Sequence, residues 1–271
     1  MTTKNQHNTD ILSLIKNQKI DDHLSSLRYA GLIQKALMPD NDLLKGMFRD
    51  YFVLFLPKDI VSGYFYYAFS DRQCFCIAAG DCTGHGVPGA LLSILGISFL
   101  NEILQMKNDL RANRILNLMR EKVMKALHQT GTKFETKDSI DIGLCIFEPG
   151  SGKLQYSGAN RSLLLMRKGK LTEFRPDKMT IGMATLKEKP FTNIIIDTLP
   201  GDTFYLFSDG FSDQFGGIND KKFKNKNFKR VIESITGLSM SGQKEYLGDV
   251  FNKWKGKTQQ VDDVLVFGFQ L

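Results

Sequence analysis

Ala78-Ala79-Gly80-Asp81-Cys82-Thr83-Gly84-His85-Gly86-Val87-Pro88-Gly89-Ala90 joins two apolar stretches through a glycine-rich loop. Cys74 to Ala79 reads as a strand that ends near Asp81, and Pro88 to Met106 reads as a long apolar helix. Pro88 suits a first helical turn, where its missing N–H costs nothing. Glycines permit backbone conformations and close approaches that side chains forbid, so the loop can aim carbonyl or N–H groups at a ligand. A carboxylate at a strand end beside such a loop suits a hard cation, and a helix N-terminus nearby suits a phosphate. Taken alone, the stretch reads equally as a tight structural turn.

Working outward, the flanks are mostly β. Tyr51 to Leu56 and Gly63 to Phe69 precede the loop as strands, and a second helix is expected over Ala112–Thr130. Ile140 to Phe147 alternates, Glu148-Pro149-Gly150-Ser151-Gly152 turns, and Lys153 to Ser157 returns. Ser162 to Arg167 and Lys170 to Phe174 form a hairpin across Lys168-Gly169. Asn193 to Ile196, Thr203 to Ser208 and Val264 to Phe269 complete the strands, with helices near Phe228–Ile235 and Gly242–Trp254. Strands grouped in hairpins, with helices in separate runs, predict an α+β fold with antiparallel sheets.

Upstream, residues 1–20 are polar and read as a flexible lead-in. Leu24, Leu27, Ala30, Ile33 and Leu37 recur at helical spacing, so a helix is expected over Asp21–Leu37, closed by Met38-Pro39. Its apolar positions serve either a partner or dimer surface or packing on the chain's own domain.

Composition narrows the class. The 271 residues are 42% hydrophobic and 24% charged, as in a globular chain that can bury a substantial core. No apolar run approaches the roughly 18–20 residues of a membrane span, and MTTKNQHNTD has no signal-peptide apolar region. The four cysteines make neither a disulfide framework nor a zinc site, which favours a reduced, cytoplasmic protein with no membrane partner. The net charge of +7 is partly concentrated in Lys221–Arg230, a basic run with interleaved phenylalanines. It matches no nucleic-acid motif and reads as a solvated loop entering a helix, so no nucleic-acid partner is expected.

The acidic residues fall into a pattern once the strands are placed. Asp81 and Asp209 end strands, and Asp262-Asp263 begins the last one. Burying carboxylates unpaired is costly, but a divalent cation can neutralise several at once. Oxygen ligands without His or Cys favour Mg²⁺ or Mn²⁺. Three unrelated turn aspartates would look the same on spacing alone.

The order Ile33-Gln34…Leu37-Met38-Pro39, Asp81-x-Thr83-Gly84-His85-Gly86, Tyr156-Ser157-Gly158-Ala159-Asn160, Ser208-Asp209-Gly210 and Asp262-Asp263 resembles the PPM metal-dependent protein phosphatases. More narrowly it resembles the bacterial SpoIIE-type serine phosphatases, relatives of RsbU, over about Leu27 to Leu271. The resemblance implies a four-layer α-β-β-α sandwich of two antiparallel sheets with a two-metal site at one end. It divides the chain into the lead-in 1–20, a regulatory or dimer helix 21–39 and a phosphatase domain 40–271. Asp81 would bridge two Mn²⁺ or Mg²⁺ ions, the Cys82 carbonyl would ligate one, and Asp209 and Asp262 the other, Asp262 being preferred to Asp263. The catalyst would be a metal-activated water, with no protein nucleophile. The implied substrate is a phosphoserine or phosphothreonine on a regulatory protein such as an anti-sigma-factor antagonist, with an upstream sensor protein and a homodimer as further partners.

Three positions depart from the family pattern. Tyr64 stands where relatives typically carry an Asp that serves the metal on the Cys82 side, which weakens that second site. The position of the histidine that eukaryotic relatives use as an acid is Thr83 here, and His85 reads as a loop-structuring residue. No residue matches the phosphate-binding arginine of eukaryotic members; Arg161 is a nearby candidate by motif only, and it reads otherwise as a surface arginine. The alternative that Tyr64 leaves open is a pseudophosphatase, a partner-binding module of the same fold.

Overall fold

Alternation along each strand sorts the side chains into two faces, and that sorting builds three separate apolar layers. The computed structural model describes residues 2–71, 74–106, 109–130, 137–182 and 189–271, with side chains from residue 18 onward. In chain order the elements are α1 (Thr2–Leu37), α2 (Asn41–Met47), β1 (Asp50–Leu56), β2 (Tyr64–Ser70), β3 (Phe75–Cys82), α3 (Gly86–Gln105) and α4 (Ala112–Ala126). There follow β4 (Ile140–Phe147), β5 (Lys153–Ala159), β6 (Leu163–Arg167), β7 (Lys170–Phe174), β8 (Ile194–Asp197) and β9 (Thr203–Phe207). The chain closes with α5 (Gly210–Asp213), β10 (Phe215–Gly216), β11 (Lys221–Lys222), α6 (Asn225–Ser234), α7 (Met240–Lys255) and β12 (Val264–Gln270).

One five-stranded sheet has the order β1-β12-β9-β6-β7 and the other β2-β3-β4-β5-β8, with every strand pair antiparallel. Between them, Ile77, Ala79, Cys145 and Tyr156 of one sheet meet Leu165, Phe204, Leu206 and Phe267 of the other. On the outer faces, α3 and α4 cover Cys76, Ala78, Ile142 and Leu144, while α6 and α7 cover Phe52, Leu164, Tyr205 and Val266. This is the four-layer α-β-β-α sandwich, an α+β fold of two antiparallel sheets.

Several elements differ from the sequence expectation. The first helix begins at Thr2 and not at Asp21. No glycine or proline occurs before Gly31, so the polar lead-in contains no helix breaker. β3 runs on to Cys82, which places Asp81 inside the sheet and not beyond it. The expectation that no stretch is apolar enough to span a membrane fails for α3, which passes on length and hydropathy. Its Leu92, Ile97, Leu100 and Leu104 are buried against the sheet, so its apolarity is that of a core helix. In the basic run, Phe223 and Phe228 are buried, and Lys222 and Lys229 pair with Asp213 and Glu173. The aromatics that would have stacked on bases face the core.

Candidate active site

The site grows out of the pleat. Ile77 and Ala79 of β3 point between the sheets, so Asp81, two residues on, points the same way. The register sets Tyr64 of β2 on one side of it and Asp141 of β4 on the other. Across the sandwich, Asp209 follows β9 and Asp262 precedes β12; because those strands are antiparallel, both residues emerge at the same end. The cleft there, about 230 Å³, is lined by Asp81, Cys82, Asp141, Arg161, Asp209 and Asp262 among others.

Arg161 stands in the middle. It leaves β5 just after Asn160, whose left-handed backbone (φ 56°) turns the chain and whose side-chain amide donates to Asp141. Asparagine tolerates that conformation better than most residues. The guanidinium Nη2 donates to Asp81 at 2.5 Å and lies 3.6 Å from Asp141, while Nη1 lies 2.9 Å from Asp209. Burial works against its charge, but Asp81, Asp209 and Asp141 more than offset this and hold its pKa above the ordinary value. Its Nε–H is buried and has no hydrogen-bond partner among the described residues. Burial also pushes the Asp81 carboxyl up to about 8 against the pull of Arg161, with Asp209 and Asp262 adding to the rise. The cleft thus sets four carboxylates, of Asp81, Asp141, Asp209 and Asp262, against one guanidinium.

Tyr64, 2% exposed, donates its hydroxyl to Asp209 at 3.1 Å. Burial first, and then the Asp81, Asp209 and Asp262 carboxylates, hold the phenol well above its ordinary pKa, so it is a neutral donor. It brings a hydrogen bond to a place where an aspartate would bring charge.

The adjacent carboxylates Asp262 and Asp263 have different surroundings. Asp262 faces the cleft. Asp263, 1% exposed, accepts from the Lys58 N–H, the Ser62 hydroxyl and the Gly63 N–H, tying β12 to the loop that enters β2. Gly210 is required by contact: a Cβ there would lie 1.8 Å from the Asp263 carbonyl oxygen. The same holds in the glycine-rich loop, where a Cβ on Gly89 would lie 2.4 Å from the Gly84 oxygen. His85 stands at the N-terminal boundary of α3, where its ring pairs with Asp59 at 3.0 Å and not with the helix N–H groups.

Each residue expected at the metal site (Asp81, Cys82, Asp209 and Asp262) lines this one cleft. Cys82 presents only its main chain there, since its thiol is buried on the α3 side. The donor type, carboxylate and carbonyl oxygen, fits Mg²⁺ or Mn²⁺. The geometry fits less directly: among the described residues no three His, Cys, Asp or Glu side chains converge closely enough to cage an ion, and Arg161 spans Asp81 and Asp209. An ion there requires the guanidinium to turn away. Asp141 was not foreseen; the only sign of it is a polar residue in the otherwise apolar run Ile140-Asp141-Ile142.

The family model for stage II sporulation protein E (SpoIIE) matches residues 71–271. No curated protein matches the chain. Among solved structures, the SiaA-PP2C domain of Pseudomonas aeruginosa is 29% identical, covers 94% of this chain and 98% of that one, and superposes with a TM-score of 0.83. The PP2C phosphatase domain of SpoIIE from Bacillus subtilis, with a fragment of its regulatory domain, is 17% identical over 82% of this chain and 62% of that one, at a TM-score of 0.63. The catalytic domain of the serine/threonine phosphatase PstP, solved with two manganese ions, is 15% identical over 80% of this chain and 96% of that one, at 0.54.

Proposed function

This chain belongs to the SpoIIE family of PP2C-fold phosphatases, and from that premise we propose that it is a divalent-metal-dependent enzyme removing phosphate from phosphoserine or phosphothreonine on a small regulatory protein. The observation that carries the reading is the meeting of Asp81, Asp209, Asp262 and the Cys82 main chain in one cleft with the partly buried Arg161. Bound Mn²⁺ or Mg²⁺ would supply an activated water and neutralise phosphoryl charge. Asp81, Asp209, Asp262 and the Cys82 carbonyl would hold the ions. Arg161, released from Asp81 and Asp209, would bind the phosphoryl oxygens, and its unpaired Nε–H gives it a donor to spare. Tyr64 would orient a water or an oxygen through its hydroxyl.

One observation favours a second reading. With Arg161 on Asp81 and Asp209, and neutral Tyr64 in place of an acid, the cleft has an internal cation and one carboxylate fewer. That arrangement suits a pseudophosphatase that binds a phosphoprotein without turnover. Hydrolysis of p-nitrophenyl phosphate, with Mn²⁺ titrated in and then chelated, separates the two. Activity that rises with metal and vanishes on chelation is expected. A protein inert at saturating Mn²⁺ that still binds the phosphoprotein is a pseudophosphatase.

Regulation enters through α1. Tyr29 and Leu32 are 68% and 64% exposed, and Ile33 and Leu37 are also exposed, a surface for a second copy or an upstream sensor protein. On the opposite side Gln34 is buried and grips Ser62 twice, donating to its carbonyl at 2.5 Å and accepting from its N–H at 2.9 Å. Ser62 in turn holds Asp263 and the Tyr64 N–H. A partner that moved α1 would thereby shift the floor of the cleft. By family analogy the substrate is a phosphorylated anti-sigma-factor antagonist.

A further inference from the structure

The strand β1 lies at the edge of its sheet, with β12 on one side and, among the described residues, no strand on the other. Which of its peptide groups face outward follows from the pairing. The Ser208 N–H donates to the Leu265 carbonyl, so Leu265, Phe267 and Phe269 turn their peptide groups toward β9. By alternation, Val264, Val266, Gly268 and Gln270 turn theirs toward β1, opposite Leu56, Leu54, Phe52 and Asp50. The peptide groups of Tyr51, Val53 and Phe55 are left on the open side. The Asp50 carboxylate takes the Tyr51 N–H at 2.9 Å, and among the described residues no strand pairs with the N–H groups of Val53 and Phe55.

Along this edge runs a groove of about 910 Å³, bounded by the end of α1, by α2 and by α7. Its walls carry Lys35, Lys45, Arg49 and Lys244, all exposed, and none of the four forms an ion pair among the described residues. Asp50 is the one acidic residue lining it, and its carboxylate is engaged with the backbone. An apolar edge strand such as Asp50-Tyr51-Phe52-Val53-Leu54-Phe55-Leu56 is a template for pairing unless something covers it.

We propose that the β1 groove is a docking site for an extended acidic segment of a partner protein, which adds a strand to the sheet beside Val53 and Phe55 while its carboxylates meet the four basic side chains. Seven residues of strand offer about 23 Å of edge, enough for a segment of roughly six residues. A second copy of this chain is disfavoured as the occupant, because pairing β1 with itself would face two basic walls together on a chain of net charge +7. The site is separate from the phosphatase cleft and stands whether or not that cleft turns over.

The test uses the full chain and two capped seven-residue peptides, one alternating Glu with Val and the other Lys with Val. Hydrogen exchange read by NMR should show the Val53 and Phe55 amides exchanging rapidly in the free chain and slowing about tenfold or more with the Glu peptide. Binding followed by fluorescence polarisation should weaken as salt is raised. The double variant Lys45→Glu, Lys244→Glu, which changes only exposed side chains, should lose about tenfold in affinity for the Glu peptide. Equal binding of the Lys peptide, unaltered exchange at Val53 and Phe55, or full affinity in the double variant would overturn the proposal. So would protection that appears on raising the protein concentration alone, which would mark the edge as a contact between copies.

Discussion

Midway along the sandwich and at its open end, the same four strands present opposite chemistry. In the middle, β3, β4, β9 and β12 turn Ala79, Cys145, Leu206 and Phe267 inward, and the sheets close so tightly that a Cβ on Gly143 would meet Leu206 at 2.8 Å. At the end, these strands and the residues just beyond them turn Asp81, Asp141, Asp209 and Asp262 into a cleft. The first region is stabilised by removing apolar area from water, at about 25 cal/mol per Å². The second works against stability: four carboxylates share one guanidinium and one phenol. On β3 the alternation that builds the core at Ile77 and Ala79 delivers Asp81 two residues on, while Asp209 and Asp262 lie just outside the ends of β9 and β12. The fold holds an under-neutralised site because the core beside it does not depend on that site.

The sharpest way to break this contrast is from the middle. Phe267 is fully buried, with rings of Phe48, Tyr66 and Phe269 around it. Phe267→Ala should lower the unfolding free energy by about 3–5 kcal/mol in a urea titration. The Mn²⁺ affinity of the molecules that remain folded should not change. A loss below about 1 kcal/mol would mean that the middle is not the rigid support described.

From the end of the sandwich the consequences invert. Asp209, with its side chain 46% exposed, contributes little to the core. Asp209→Asn should leave stability within about 1 kcal/mol of the parent yet cut metal-dependent hydrolysis by about 10²-fold or more. Calorimetry should show weaker Mn²⁺ binding, and an unchanged affinity would remove Asp209 from the ligand set.

The smallest effect sharpens the comparison within the cleft itself. Tyr64→Asp adds a charge beside Asp81 and Asp209 and should lower the Mn²⁺ concentration for half-maximal activity by about tenfold, with calorimetry moving in step. If the midpoint stays put, the charge missing at position 64 is not what limits the site.

The sheets were legible because their strands carry a repeating signal: Ile140–Phe147 and Lys153–Ser157 alternate on either side of an obvious turn. The cleft carboxylates were legible as a set only through the order of several motifs. What escaped depended on one-residue steps or on distant contacts. The resemblance supplied the preference for Asp262 over Asp263, but not the reason: one faces the cleft and the other accepts three hydrogen bonds from a loop about 200 residues earlier. Asp141 belongs to no motif and acquires its place from the register with Asp81. The motif pointed to Arg161, but its grip on Asp81 joins residues 80 positions apart and depends on the turn at Asn160. The early start of α1 was missed because polarity was taken as the end of order, although nothing in that stretch breaks a helix.

The placement of Cys82 has a consequence for oxidative stress. Its thiol is turned away from the cleft into the α3 layer, and burial, reinforced by the Asp81 charge, holds it well above the ordinary thiol range. Cys74, Cys76 and Cys145 are likewise reduced and buried. Peroxide and alkylating agents react with thiolates, and here they meet none at the surface. Phosphatases that attack through a cysteine are silenced by such oxidants, whereas this cleft has no reactive sulfur to lose. What occupies it in this structure is Arg161, seated on Asp81 and Asp209.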